Sequence, residues 1–200
     1  MSSASSTPDS SRRVADAMKA VRREGFLTEE QRGNAGRDAP LPLWDGQTNS
    51  QPTTVSNMLE LLAVPTGAKV LDVGAGSGWT TALLAHLVGS TGSVLGLEIV
   101  PDLARWGAAN VEASQQSWAR LEVADADEVG RAAEAPYDRI LVSAMATTLP
   151  LYLVDQLAPG GVMVVPVDGR MIRVERPADG GPPTRTEHGF YRFVPLVTRD

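Results

Sequence analysis

The sequence predicts a doubly wound α/β fold: a mostly parallel seven-stranded sheet with helices on both faces. Two observations predict it. From residue 69 onward, short apolar runs with strand character alternate with stretches of helical period, and alternating βα units require a parallel sheet covered on both sides. The first such run also ends in three alternate glycines, Gly74, Gly76 and Gly78, directly before a helical stretch. That is the strand–loop–helix geometry in which open α/β sheets bind ligands, beyond the carboxyl ends of their strands.

The elements follow in order. Residues 1 to about 11 are small and polar and predict a disordered tail. Val14, Met18 and Val21 recur at helical spacing over 14–23, and Arg22 and Arg23 read as a solvated helix face. Between Thr28 and Gln51, Gly33, Gly36, Pro40, Pro42 and Gly46 punctuate a polar loop region, of a length that in compact domains is often functional. Met58, Leu61 and Leu62 predict a helix ended by Pro65 and Gly67. Strands are predicted over 69–74, 94–98, 119–124, 137–144 and 162–167. Helices are predicted over 79–88, from Pro101, and over 149–157. Residues 170–176 and 190–196 predict a closing antiparallel pair joined by a Gly/Pro-rich loop. The chain is read as a single domain over 12–200. In it, 12–66 supply a helix and a loop, and 67–200 supply the ligand-binding sheet and its closing strands.

Composition removes several function classes. The chain has 200 residues, 18 Lys+Arg, 24 Asp+Glu and no cysteine. A net charge of −6 argues against unspecific binding to nucleic acid or an anionic membrane. Without cysteine there is no disulfide, thiolate zinc site, iron–sulfur cluster or thiol catalysis. His86 and His188 are the only histidines, so no metal site is expected. Cysteine absence fits a reducing cytoplasm, where a monomer is expected. No secretory leader is legible at the start. The longest apolar runs are far too short to span a bilayer. His86 reads as a mid-helix surface residue and His188 as a loop residue.

The glycine segment reads Val70-Leu71-Asp72-Val73-Gly74-Ala75-Gly76-Ser77-Gly78-Trp79. Its glycines permit a tight turn and close approach of a ligand to the backbone, and the helix amide end that follows is electropositive. The spacing Gly-x-Gly-x-Gly differs from that of dinucleotide binders, and no phosphate-clamping lysine follows. Asp72 stands inside the strand, where a carboxylate is costly unless bonded. Glu98 falls 20 residues after Gly78 at the end of the second strand, where a carboxylate can accept both hydrogen bonds of a ribose diol.

Strand, glycine loop and second-strand acid together resemble the class I S-adenosylmethionine-dependent methyltransferases. The resemblance implies that Glu98 holds the ribose hydroxyls, that Asp72, Gly74, Ala75, Gly76 and Gly78 surround the methionine part, and that an acid after the third strand holds the adenine amine. Asp125 and Asp127 are both candidates for that acid. Asp125, which directly follows Val123-Ala124, is preferred.

Upstream stands Pro40-Leu41-Pro42-Leu43-Trp44-Asp45-Gly46-Gln47-Thr48-Asn49-Ser50-Gln51-Pro52. This segment resembles a loop of the protein-L-isoaspartate O-methyltransferase family. Collinear matches continue at Glu134-Ala135-Pro136-Tyr137-Asp138, Gln156-Leu157-Ala158-Pro159-Gly160-Gly161, Val165-Pro166-Val167 and Phe193-Val194-Pro195-Leu196. The resemblance spans roughly residues 14 to 197. It implies methyl transfer from S-adenosylmethionine to the free carboxylate of an L-isoaspartyl residue in a damaged protein or peptide, and an unusual placement of the last two strands. It makes Ser50 the active-site serine. From their place on the same loop, Thr48 is read as a second hydroxyl donor and Gln47, Asn49 and Trp44 as substrate-side residues. Read from the residues alone, Thr48 and Ser50 can instead bond the local backbone, or Ser50 can cap the helix near Pro52. Trp79 can pack above the loop or line the pocket. Asn49 stands where the family pattern has an apolar residue, Val21-Arg22-Arg23 replaces Val-Pro-Arg, and Ala124-Asp125-Ala126 replaces Gly-Asp-Gly. These departures bear on substrate choice more than on cofactor binding. The alternatives are a related carboxyl methyltransferase for a dedicated peptide or small acid, and a non-catalytic cofactor-binding interaction module.

Overall fold

Every strand of the sheet but the last runs where β-branched and apolar residues crowd the sequence. In this computed structural model, which describes residues 8–125 and 127–197, the elements are, in chain order, α1 (Pro8–Ala20), a 3-10 turn (Arg23–Phe26), α2 (Glu29–Arg32), β1 (Leu41–Pro42), β2 (Thr48–Asn49), α3 (Pro52–Leu62), β3 (Lys69–Val73), α4 (Trp79–Val88), β4 (Ser93–Glu98), α5 (Pro101–Ala113), β5 (Ala119–Val123), a second 3-10 turn (Ala132–Glu134), β6 (Tyr137–Val142), α6 (Leu151–Val154), β7 (Leu157–Val167), β8 (Arg170–Glu175) and β9 (Thr184–Phe190). β1 and β2 form a separate small hairpin. The seven-stranded sheet has the order β5-β4-β3-β6-β7-β8-β9. Its first five strands are parallel, and β8 and β9 are antiparallel. The last two strands therefore stand in sequence order at one edge. Strand order reverses between β3 and β6, so a crevice opens there at their carboxyl ends.

Alternation along β3 splits the core into two layers. Val70 joins Val94, Leu141 and Val164 in a cluster with α1, α3 and α4. Leu71 joins Leu95, Ile140 and Met163 in a second cluster, covered by α6 and neighbouring loops. Ala104 and Val111 of α5 pack on Leu121 of β5. Arg13 of α1 fastens two helix ends, donating to Val64 O and to Leu87 O at 2.6 Å each. Cations at helix carboxyl ends oppose the helix dipole.

Several boundaries differ from expectation. Helix α1 begins at Pro8, so residues 8–11 are ordered rather than part of a tail. Asp9 pairs with Arg12, and Ser11 donates to Glu60 at 2.9 Å. The first seven residues of the predicted tail lie outside the described residues. Helix α6 shrinks from the expected 149–157 to Leu151–Val154, because Leu157 already pairs with Tyr137 as a strand. The closing strand is Thr184–Phe190 rather than 190–196. The later segment instead turns back over the crevice, with Met145 N donating to Val194 O and Leu196 N to Met145 O, each at 2.7 Å. His86 is exposed on α4 as expected, whereas His188 lies in β9 rather than in a loop.

Candidate active site

One cleft opens at the carboxyl ends of β3, β4 and β6. Its floor is the glycine loop with Glu98. Its walls are the β1–β2 hairpin on one side and the segment 192–197 on the other. Of the residues singled out in the sequence, Gln47, Thr48, Asn49, Ser50, Gly74, Ala75, Gly76, Glu98 and Asp125 line it. Asp127 does not, which favours Asp125 at the far end. Asp125 also accepts the Asp127 amide at 2.9 Å, closing a tight turn at the end of β5.

The glycine loop is built by backbone contacts. Gly74 N and Ala75 N both donate to Leu97 O, at 2.9 and 3.0 Å. Gly78 caps α4 with φ +85, and a Cβ there would stand 2.7 Å from Val111 Cγ2 and 2.8 Å from Gly107 O. Gly78 thus serves helix packing and does not line the cleft. Gly76, with φ +54, faces open space: a Cβ there would meet nothing within 4 Å. Its amide donates to Glu98 Oε2 at 2.8 Å, and Val100 N donates to Glu98 Oε1 at 2.9 Å. Two backbone donors therefore hold the buried Glu98 carboxylate at the cleft floor. One lone pair on each oxygen stays available, which is what a ribose diol requires.

Asp72 lies beneath the cleft rather than in it. It is fully buried. Its Oδ2 accepts hydrogen bonds from Thr80 Oγ1 and Thr81 Oγ1, both at 2.7 Å. Its Oδ1 has no partner among the described residues. Burial pushes this carboxyl up to about 6, against the opposing effect of the two threonine hydroxyls; the nearby Glu98 charge adds to the rise.

The hairpin places the acceptor side. Asp45 and Gly46, at φ +54 and +72, make its tight turn. Period-two alternation leaves Thr48 exposed, Asn49 buried and Ser50 half-buried. The Thr48 and Ser50 hydroxyls have no hydrogen-bond partner among the described residues. The helix-cap alternative for Ser50 fails, because the N-cap of α3 is Gln51 and the first-turn amide of Thr53 donates instead to Asp38 Oδ1 at 2.9 Å. Trp44 does not line the cleft. It packs on Trp106 of α5, ring centroids 4.7 Å apart, because the turn projects it beyond the cleft rim. Asn49 lines the cleft but spends its carboxamide inward, accepting from Arg23 Nε at 2.7 Å and donating to Ser77 Oγ at 3.0 Å.

Sequence reasoning missed three contributors. Arg23 is buried rather than solvated; its charged neighbours Arg22 and Glu24 made it read as part of a solvated face. Gln156 accepts from Arg131 N at 3.0 Å and donates to Val129 O at 3.2 Å, shaping the loop at Gly130 that borders the cleft. Residues 192–196 wall the cleft, and their apolar run was read as a strand. Trp79 satisfies both of its readings: it is buried, donates from Nε1 to Val21 O at 3.1 Å, and borders the cleft.

Known proteins place this architecture. The family description "Protein-L-isoaspartate(D-aspartate) O-methyltransferase" matches residues 6–200. A protein-L-isoaspartate O-methyltransferase of Methanopyrus kandleri is 44% identical over 192 residues, 94% of this chain and 84% of that one. One from Anaeromyxobacter dehalogenans is 44% identical, covering 93% of this chain and 90% of its own length. Among solved structures, a putative enzyme of this kind from Plasmodium falciparum, in complex with S-adenosyl-L-homocysteine, shares the fold with TM-score 0.80 at 23% identity. That match covers 94% of this chain and 91% of that one. With its signature loop, glycine floor and strand order, this chain belongs to the protein-L-isoaspartate(D-aspartate) O-methyltransferase family.

Proposed function

We infer that this chain transfers the methyl group of S-adenosylmethionine to the free α-carboxylate of an L-isoaspartyl residue in damaged proteins or peptides. One observation carries the reading. The Thr48 and Ser50 hydroxyls and the Glu98 floor line one continuous cleft, so an acceptor and a nucleoside can meet inside it.

The residues present fit that cofactor. Glu98 keeps lone pairs for a ribose diol, Gly76 leaves open space above its Cα, and Asp125 stands at the far end for an adenine amine. When bound, the cofactor supplies an electrophilic methyl on a sulfonium, whose charge disappears together with that of the carboxylate that accepts it. Thr48 and Ser50 donate hydrogen bonds that aim the carboxylate without taking its charge. Gln47 borders the same spot. No side chain has to act as a general base, since the acceptor is ionised at pH 7. Residues 192–196 and the hairpin shield the reacting groups from water.

An assay of base-labile methyl transfer to an isoaspartyl peptide and to its aspartyl twin tests the reading. Transfer to the isoaspartyl peptide alone is expected. Equal transfer to both, or to neither, overturns repair and favours the dedicated-substrate enzyme or the non-catalytic module. We further propose a monomer acting in the cytoplasm: a chain without cysteine suits a reducing compartment, and light scattering of the purified protein tests the oligomeric state. No helix among the described residues is long and apolar enough to cross a membrane.

A further inference from the structure

Arg23 is 5% exposed and has no carboxylate in ion-pair contact among the described residues, Asp38 acting on its charge only from a distance. A buried charge without a counterion is costly unless its donors are satisfied. Here they meet a set of oxygens. Nε donates to Asn49 Oδ1 at 2.7 Å and Nη1 to Arg37 O at 2.9 Å. Nη2 reaches Ala39 O at 2.9 Å, Asn49 O at 3.1 Å and Ser50 O at 2.9 Å. The plane also lies 5.5 Å from the Trp79 ring centroid. A planar five-donor fork can make this set; a lysine cannot. One side chain thereby ties Asn49 and Ser50, at the end of β2, to the approach segment 37–39 and to the start of α4.

Asn49 extends the set into the cofactor side. Its Nδ2 donates to Ser77 Oγ at 3.0 Å, and Ser77 follows Gly76 in the glycine loop that floors the cleft. Ser77 O in turn accepts from Asn110 Nδ2 of α5 at 3.0 Å. A continuous hydrogen-bonded path therefore runs from the glycine loop through Asn49 to the Ser50 backbone. An apolar side chain at 49 could make neither of its two side-chain links.

We propose that Asn49 and Arg23 are positioning residues that lock the Ser50 hydroxyl to the glycine loop, so that cofactor-side occupancy and acceptor binding favour each other. Neither residue's side chain is left free to hold substrate: Asn49 acts through Ser77 and Arg23, and Arg23 through the Ser50 backbone. The proposal rests on the reading of Ser50 as the carboxylate donor.

The test measures the dissociation constant of S-adenosylhomocysteine with and without saturating isoaspartyl peptide, together with kcat and KM for that peptide. Wild type is expected to bind S-adenosylhomocysteine at least about fivefold tighter with peptide present, the lower end of ordinary coupling between sites. Asn49→Leu is expected to bring that ratio close to one and raise peptide KM about tenfold, while S-adenosylhomocysteine alone binds within about threefold of wild type. Asn49→Asp, which still accepts from Arg23 and can accept from the Ser77 hydroxyl, is expected to restore the ratio. Should Asn49→Leu fail to fold, Ser77→Ala breaks the same path with one hydroxyl removed and is expected to lower the ratio likewise. A wild-type ratio near one, or an unchanged ratio in Asn49→Leu or Ser77→Ala, overturns the proposal. Ser50→Ala separates the two ideas. Unchanged peptide kinetics in that variant sink the role of Ser50 itself, whereas lost turnover beside an unaffected Asn49→Leu ratio sinks only the path.

Discussion

Replacing Asp72 by Asn tests the electrostatics under the cleft. The carboxyl is fully buried, takes two threonine hydroxyls on one oxygen, and has no described partner on the other. Burial raises it from an ordinary 3.8 to about 6. An acid that holds its proton more tightly in the fold than in the unfolded chain favours folding while protonated and penalises it once ionised. The penalty is absent below about pH 4 and complete above about pH 6. A gap of this size corresponds to about 3 kcal/mol. Asn keeps an acceptor for Thr80 and Thr81 and never ionises. Between pH 4 and pH 7, Asp72→Asn should therefore gain about 2–3 kcal/mol of stability relative to wild type. Urea unfolding of the cofactor-free protein, followed by tryptophan fluorescence at several pH values, measures the difference. Other titrating groups cancel in that comparison. Parallel stability profiles, or a variant that loses ground as pH rises, would refute the reasoning.

Other perturbations separate the two halves of the site. Ser50→Ala removes one donor to a charged acceptor and should cut kcat about 10- to 100-fold; calorimetry with S-adenosylhomocysteine should show nearly unchanged affinity. Glu98→Ala should do the reverse, weakening S-adenosylhomocysteine about 100-fold in the same titration. Gly107→Ala gains about 1 kcal/mol of helix propensity, yet its Cβ would stand 2.5 Å from Gly76 O. The variant should be less stable by about 1–2 kcal/mol in urea, with weaker cofactor binding because the glycine loop must move.

Legibility followed the strength of local pattern. Helix α4 and the strand before it stand where the sequence predicted them, because a buried strand, a glycine loop and a helix buried at every position but His86 leave few alternatives. Strand β9 was missed because nearly every residue from Thr184 to Phe190 is exposed, so its side chains carry no alternation between core and solvent. The apolar run that mimicked a strand, at residues 193–196, is apolar because it covers the cleft. The hydroxyls of the site were legible through their motif and the carboxylate floor through its spacing. Arg23 was not, because burial of a guanidinium depends on backbone carbonyls gathered from residues 37–50, and carbonyls have no sequence signature. Trp44 was misplaced for a related reason: two successive positive-φ residues aim the hairpin tip at Trp106.

The central claim is that one cleft brings an isoaspartyl carboxylate, held by the hairpin hydroxyls, against a nucleoside held by Glu98. A crystal structure of the chain with S-adenosylhomocysteine and an isoaspartyl peptide measures that directly. The account predicts a carboxylate oxygen within about 3 Å of Ser50 Oγ, and both ribose hydroxyls on Glu98. A carboxylate seated away from residues 47–50, or a ribose held by another side chain, would contradict it.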